Sequence, residues 1–378
     1  MDGRCCDPQE VLIHCEGRWK SKKTTGNLAV PTGFSSNQTA EVLGDKMYVF
    51  GGQPYGNVID GAHGEDPFQN EMSVLDLESW CWSKVKPEGS SPMRCVHQTS
   101  WVHNNKIYVF GGGFATPTSL GIETEVNYPN GIQVDEGVTF SATNQLFCYD
   151  MTKNCFEWPC IKVEGNIQTS RAGHTSFING KAVFIFGGYS NGTAMVNDLL
   201  ILDISRMIIR QVHESSTDSG LPGKRGFHSM TKITSDKAVL YGGNGPNGLA
   251  KDCWILDIKK ALLGEFAEAS SLWIRGGAKD LPKRVNHTAI IEPKSRGIYI
   301  LGGRSGGCGF KPQMSDKILV MTFSPPPLEL LAMEQAIKEY DSENPKLNEF
   351  LPKDHEMRKT LEARRQTSRM EKKLHISW

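Results

Sequence analysis

Apolar residues in this chain gather in short runs separated by polar stretches rich in Gly, Asn, Ser and Pro. Such runs predict strands, because a helix needs an apolar stripe at 3.6-residue spacing over ten residues or more. One run recurs five times and always ends in Gly-Gly. It is MYVF at 47–50, IYVF at 107–110, VFIF at 183–186, AVLY at 238–241 and IYIL at 298–301. The first glycines of the pairs (Gly51, Gly111, Gly187, Gly242, Gly302) are 60, 76, 55 and 60 residues apart. Continuous β-branched and aromatic runs suit an inner strand buried on both faces. The glycines let the chain turn sharply where space is short.

Three further features keep the same phase. An Arg-x-x-His string precedes four of the five runs: Arg94/His97, Arg171/His174, Arg225/His228 and Arg284/His287. Its steps of 77, 54 and 59 track those of the glycines; in the first unit Asn37 stands where the His is expected. A strand with a late acid follows each Gly-Gly, ending at Asp76, Asp150, Asp203 and Asp257, while the fifth copy, KILV at 317–320, has no acid. A fourth strand carries Trp80 and Trp82, Trp158 and Trp273, with Met207-Ile208-Ile209 in the third unit. Each unit therefore predicts four short strands joined by Gly-rich turns.

The pattern resembles the kelch repeat over roughly residues 15–323. Phased linkage of several features makes the resemblance specific, where a lone FGG would not be. It implies an all-β propeller, with four-stranded blades packed around an axis. Five blades are detectable, and a sixth has room to hide in 113–143. The fifth unit runs directly into Ser324-Pro325-Pro326-Pro327 and lacks its own fourth strand. The N-terminal string from Val11 to Trp19 is expected to supply it and close the ring, removing an open edge. The propeller is thus assigned to 11–324, a helical tail to 325–378, and mobility to 1–10 and the chain's far end.

Composition narrows the function. The chain has 378 residues, 42 Lys+Arg against 42 Asp+Glu, and 39 glycines. Zero net charge argues against the basic field that nucleic-acid binding needs. No apolar run is long enough to span a membrane, and the start lacks a signal-peptide core. The ten cysteines form no C-x-x-C pair, so no zinc site or thiol–disulfide motif is expected; reduced thiols in the cytoplasm or nucleus are. The Asn-x-Thr triplets at Asn37, Asn191 and Asn286 carry no glycosylation argument without a leader. No phosphate-binding Gly loop, nucleophile elbow, copper-site grouping or Glu-x-x-x-Asp-x-x-x-His iron string occurs. Neither enzyme activity, cofactor nor metal is expected.

A propeller is a scaffold, so function must be argued from its loops. Arg-x-x-His recurs in equivalent places, which marks most copies as structural. Residues of the same loops that do not repeat are the better binding candidates: Tyr189, Asn191, Phe227, Asn244 and Arg304. The long loops 53–70 and 113–143 carry Asp60, Glu65, Asp66, Glu123, Glu125, Asp135 and Glu136, and no Lys or Arg. Arg225, Arg284, Arg304 and Lys311 come from later units, which implies an acidic and a basic arc on one face.

In 328–378 glycine disappears and Leu, Ala, Glu, Lys and Arg dominate. Leu328, Leu331, Ala332 and Ala336 keep helical spacing after the prolines. Such a helix packs back on the ring or binds a partner. The stretch from Pro327 to Ala336 resembles the elongin-binding box of cullin-RING substrate receptors, with Ala332 in place of the usual Cys. The Leu351-Pro352 pair resembles the segment by which such receptors choose their cullin. The resemblance implies elongin B/C and a cullin as tail partners and a target polypeptide on the loop face. Related receptors grip C-terminal glycines with arginines after the third Gly-Gly and a Ser-Trp pair before the next His. Here those positions hold Tyr189-Ser190-Asn191 and Gly226-Phe227, so that specificity is not carried over. A scaffold or cytoskeletal kelch protein is the alternative.

Overall fold

The computed structural model describes residues 10–15, 18–23, 25–26, 35–54, 70–117, 138–190, 194–213, 220–263, 269–276, 281–291, 297–305 and 319–322. Successive strands pair with one another to make antiparallel sheets, which we number as blades. Blade 1 is Thr39–Leu43, Lys46–Phe50, Met72–Asp76 and Cys81–Lys84. Blade 2 is Thr99–His103, Lys106–Phe110, Leu146–Asp150 and Cys155–Glu157. Blade 3 is Thr175–Asn179, Ala182–Ser190, Ala194–Asp203 and Ile208–His213; blade 4 is Ser229–Lys232, Lys237–Tyr241, Cys253–Asp257 and Trp273–Arg275. A fifth sheet shows three strands: Thr288–Ile291, Gly297–Leu301 and Leu319–Thr322.

The first strands of successive blades pack against each other, so they line the axis. The Gly-Gly strand is therefore second from the axis, not innermost. It is still buried on both faces, and alternate residues serve different neighbours. In blade 3, Val183 and Ile185 pack with Tyr108 and Phe110 of blade 2, while Phe184 and Phe186 pack with Leu240 and Trp254 of blade 4. Each such side chain gains about 1.5–3 kcal/mol from burial, and this repeated interleaving makes the blades mutually dependent.

The recurring late acid closes the turn between third and fourth strands. Asp76 Oδ1 accepts from the N–H groups of Glu78 and Ser79 (3.1 and 2.7 Å), and Asp203 Oδ1 from Ser205 and Arg206 (2.9 and 3.1 Å). Asp150 does the same for Thr152 and Lys153. These are Asx turns, made possible by a short acceptor beside free N–H groups. In blade 4 the acid starts a helix instead: Asp257 Oδ1 accepts from Lys260 N (3.0 Å) ahead of Ile258–Leu263. That helix was not expected from the repeat; it buries Ile258 and Ala261 in the core between blades 3 and 4.

Two sequence assignments need correction. Trp82, Phe156, Ile209 and Trp273 share the same register opposite the third strand, so Phe156 occupies the Trp place of blade 2. Trp158 lies beyond that strand and is 42% exposed. The string from Val11 to Trp19 is not one strand: Glu10–Cys15 pairs antiparallel with Arg18–Lys23. Among the described residues, Leu319–Thr322 pairs with Gly297–Leu301 and receives no N-terminal strand. The tail assigned to 325–378 lies outside the described residues. No described helix is long and apolar enough to cross a membrane, and Cys81, Cys95, Cys148, Cys155, Cys160 and Cys253 are free thiols.

Candidate functional site

Asn37, His97, Gly173, Phe227 and Asn286 all have positive φ, between 55° and 65°. Asn and Gly tolerate this left-handed turn, whereas Phe and His adopt it only where surroundings hold them there. Each after Asn37 donates its N–H to the carbonyl of its counterpart in the preceding blade: His97 to Asn37, Gly173 to His97, Phe227 to Gly173 and Asn286 to Phe227, at 2.8–3.1 Å. These residues form an arc of main-chain bonds around the axis. Two of the Asn-x-Thr triplets are thus ring architecture.

This arc resets the repeat. One residue before each turn, Val96, Ala172, Gly226 and Val285 bridge to Gly113, Tyr189, Asn244 and Arg304. One residue earlier, the carbonyls of Cys95, Arg171, Arg225 and Arg284 accept from Gly52, Gly112, Gly188 and Gly243 of the preceding blade's Gly-Gly corner. In blade 2 the pattern Arg94-x-x-His97 is therefore one residue out of phase. Cys95 holds the Arg place and Gln98 the His place, while Arg94 is exposed. The pairs Gln38-Thr39, Gln98-Thr99, His174-Thr175, His228-Ser229 and His287-Thr288 would have given the correct phase from sequence.

The in-phase copies are structural, as their repetition implied. Arg171 has no exposed side-chain surface and forks onto Asp198, Nη1 to Oδ1 at 2.9 Å and Nη2 to Oδ2 at 3.1 Å. Arg225 forks onto Asp252 at 2.7 and 2.9 Å. Each guanidinium also donates to a Gly-Gly carbonyl of its own blade, Gly187 or Gly242. Each His reaches back to a hydroxyl of the preceding blade: His174 Nε2 to Thr99 Oγ1, His228 Nε2 to Thr175 Oγ1 and His287 Nε2 to Ser229 Oγ, at 2.8–2.9 Å. Gln98 Nε2 instead donates to the Phe50 carbonyl, 2.9 Å away. Burial pushes the histidines toward the neutral form, His174 and His228 well below the usual imidazole range and His287 to about 4.

Above this layer, chain leaving the Gly-Gly corners builds hairpins at one end of the ring. Gly113–Pro117 pairs with Val138–Ala142, Gly188–Ser190 with residues 194–196, and Asn244–Gly245 with Gly248–Leu249. Between them the axis is plugged. The Phe227 ring meets His97 edge-on at 4.7 Å and Tyr189 at 5.3 Å, with Val285 behind. A Cβ on Gly173 would sit 2.7 Å from Phe227, and one on Gly226 would sit 2.7 Å from Tyr189, so both glycines make room for the plug. His97, enclosed here, is pushed down to about 3 by burial.

Four of the five binding candidates thus lie together and are buried: Tyr189 and Phe227 in the plug, Asn244 and Arg304 on the bridges beside it. Asn191 is outside the described residues. The basic arc dissolves in part, since Arg225 and Arg284 are buried and Arg225 is already paired. Asp60, Glu65, Asp66, Glu123, Glu125, Asp135, Glu136 and Lys311 lie outside the described residues, as do Leu328, Leu331, Ala332, Ala336, Leu351 and Pro352. Among the described residues no three His, Cys, Asp or Glu side chains are grouped to hold a metal. The geometry offers a plugged floor beside the hairpins of blades 2, 3 and 4.

The sequence profile of the KLHDC2/KLHL20/DRC7 kelch-repeats domain matches residues 3–127 and 130–273. The chain belongs to this kelch-repeat family. It is similar to kelch domain-containing protein 2 of Bos taurus, 25% identical over 337 residues that cover 85% of this chain and 73% of that protein. It is 27% identical to kelch domain-containing protein 1 of Mus musculus, over 76% of this chain and 65% of that protein. It is 24% identical to acyl-CoA-binding domain-containing protein 5 of Arabidopsis thaliana over 67% of this chain, spanning only 34% of that longer protein. A kelch propeller of this kind is a scaffold for protein interaction, which accords with the floor and its hairpins.

Proposed function

We propose that this kelch propeller captures a polypeptide on its hairpin face and serves as substrate receptor of an elongin–cullin ubiquitin ligase. The observation that carries the binding reading is the plugged axis. His97, Phe227 and Tyr189 turn what would be a channel into a floor, walled by chain leaving the Gly-Gly corners. A polypeptide laid there would meet the hairpins that leave the Gly-Gly corners, and the acidic residues that the sequence carries in 53–70 and 113–143 favour one with a basic portion. The ligase reading rests on sequence: the helical spacing from Leu328 to Ala336 and Leu351-Pro352 follow the repeats as a docking tail would. Catalysis is then proximity, since the receptor raises the effective concentration of target lysines near the ubiquitin carrier and makes no bond itself. A cytoplasmic or nuclear site of action fits that role.

The test is affinity capture with mass spectrometry, using the full chain and its Leu328→Asp variant in parallel. Recovery of elongin B and C by the former and not the latter supports the receptor. Failure of the full chain to recover them favours a scaffold without a ligase link. Reversing Glu123, Glu125, Asp135 and Glu136 together should alter the captured target while leaving elongin recovery unchanged.

A further inference from the structure

The five sheets do not meet in a closed circle of equals. Where one blade follows another, the lead-in of the later blade covers the first glycine of the earlier one. A Cβ on Gly51, Gly111, Gly187 or Gly242 would fall 2.6–2.8 Å from the carbonyl oxygen of Cys95, Arg171, Arg225 or Arg284. A Cβ on Gly302 would meet nothing within 4 Å. The main-chain arc likewise runs from Asn37 to Asn286, and among the described residues none donates to Asn286 in turn. The innermost strands pack in sequence from Thr39–Leu43 to Thr288–Ile291, with no comparable packing joining the last to the first.

Both walls of this break are apolar and uncovered. Ile290 stands where blades 2 and 3 have Trp101 and Phe177, by its offset from Thr288, Thr99 and Thr175. Those two are 2% and 9% exposed against the following blade; Ile290 is 53% exposed. Tyr299 and Leu301 are half-buried, although their counterparts Phe184 and Phe186 are fully enclosed. On the other wall, Val42 is 56% exposed and Met47 and Val49 are half-buried, whereas Tyr48 and Phe50, facing blade 2, are buried. Farther from the axis on the same side as Met47, Leu75 is buried. The uncovered surface is the inner half of a blade-sized slot.

The N-terminal hairpin fits the outer half. The fourth strands of blades 1 and 2 are each followed within a few residues by a segment pairing in parallel with the next blade's fourth strand. Glu88 follows Cys81–Lys84 and bridges Cys155 of blade 2, and Lys162–Val163 follows Cys155–Glu157 and pairs with Ile208–Ile209 of blade 3. Thr25–Gly26 follows Arg18–Lys23 and pairs in parallel with Cys81 and Trp82 of blade 1. Arg18–Lys23 therefore has the register of a fourth strand, and Glu10–Cys15 that of a third, in a blade preceding blade 1. The third-strand place of blade 5 is already taken by Leu319–Thr322. Among the described residues Glu10–Cys15 has a partner on one edge only.

We infer that the ring has six radial places, and that the slot between blades 5 and 1 is a docking site for the inner two strands of a kelch blade. The occupant is a β-hairpin contributed by polypeptide other than these 378 residues. Its chemistry follows from the other junctions, whose surfaces the slot continues. Its lead-in carries a left-handed residue followed at once by His or Gln, and its second strand is apolar on both faces and ends in Gly-Gly. That hairpin would bond to the free edge of Glu10–Cys15, cover Ile290 and Val42, and seat its lead-in over Gly302. This inference is independent of the ligase reading.

The test adds a synthetic hairpin with the sequence of residues 168–190 to the full chain, and in parallel tethers it ahead of Met1 through a Gly-Ser linker. Native mass spectrometry should give a 1:1 complex, and both forms should raise the melting temperature by several degrees. The gain should vanish in Val42→Asp/Ile290→Asp, which leaves the melting temperature of the free chain unchanged because both positions are exposed. It should also vanish for a hairpin with both glycines replaced by valine. The idea fails if neither free nor tethered hairpin stabilises the chain, or if the double Asp variant binds equally well. It fails too if cysteines placed at 42 and 290 resist thiol labelling in the full chain but react after truncation at 322, because the chain's own tail then fills the slot.

Discussion

Blades 2 and 3 begin with lead-ins that do the same backbone work with different side chains. In blade 3, Arg171-Ala172-Gly173-His174 supplies a buried fork onto Asp198, a turn with no side chain, and a His bonded to Thr99. In blade 2, Cys95-Val96-His97-Gln98 supplies a small buried thiol, a left-handed His inside the axial plug, and an amide bonded to Phe50. The carboxylate is gone as well: by its register next to Leu146, Gln145 stands where Asp198 precedes Leu199. Both members of the ion pair are replaced together. The difference teaches that the ring is specified by main-chain bonds and glycine corners, and that the Arg–Asp pair is one way of filling the space behind them.

The largest effect expected from this contrast comes from breaking the blade 3 pair. Arg171→Ala leaves Asp198 buried with its fork partner removed, and should cost about 3–5 kcal/mol in urea unfolding. The double change Arg171→Met/Asp198→Leu should cost much less, because no charge is stranded. Equal losses for the single and double variants would mean that the pair, rather than its desolvation, sustains the blade. Next in size is the rebuild in blade 2. Cys95→Arg alone buries a cation without its anion, and Gln145→Asp in the same chain should recover roughly 1.5–3 kcal/mol in a double-mutant cycle. A coupling near zero would show that the two blades differ in more than these residues.

Much of this architecture was legible beforehand. The Gly-Gly runs located the second strand of each blade because burial on both faces demands an unbroken apolar run. The late acids marked the turns because Asp is a good local acceptor. What misled was a motif read at face value: Arg94 and His97 satisfy Arg-x-x-His by chance, one residue out of phase. The hydroxyl that follows Gln98 was the better guide, since it must meet the next blade. Trp158 was misplaced for a similar reason, because Phe156 is as good an apolar filler of that register as Trp. The site was less legible. Tyr189 and Phe227 were chosen as non-repeating loop residues, and nothing local says that they turn inward onto His97. The half-blade at the N-terminus was hidden because two short strands, rather than one long one, lie between Glu10 and Lys23.

The axial turn offers a smaller contrast, between Gly173 and the residues that share its conformation. Asn37 and Asn286 are at ease with positive φ, and Asn286→Gly should change stability by less than about 0.5 kcal/mol. Gly173→Ala is different, since its Cβ would press on the Phe227 ring while the backbone resists the conformation. It should cost about 1–2 kcal/mol, part of which Phe227→Leu returns. If Gly173→Ala proves neutral, the plug is looser than the ring contacts imply.

The last contrast separates His97 from the asparagines through pH. His97 is held neutral by burial, with its folded value at about 3, against about 6.5 in an unfolded chain. A depressed folded value means that the unfolded chain binds the extra proton between these limits. The stability it accounts for is therefore complete above pH 6.5 and is lost progressively as pH falls toward 3. His97 alone should take away about 1 kcal/mol by pH 6, and His174, His228 and His287 act in the same direction. His97→Asn supplies a residue that already serves at this turn in blades 1 and 5. Urea titrations at pH 7.5, 6.0 and 5.0 should show the variant losing stability with a slope shallower by up to one proton than the parent. Parallel slopes would place His97 in contact with solvent, and the axis would then be an open channel instead of a floor.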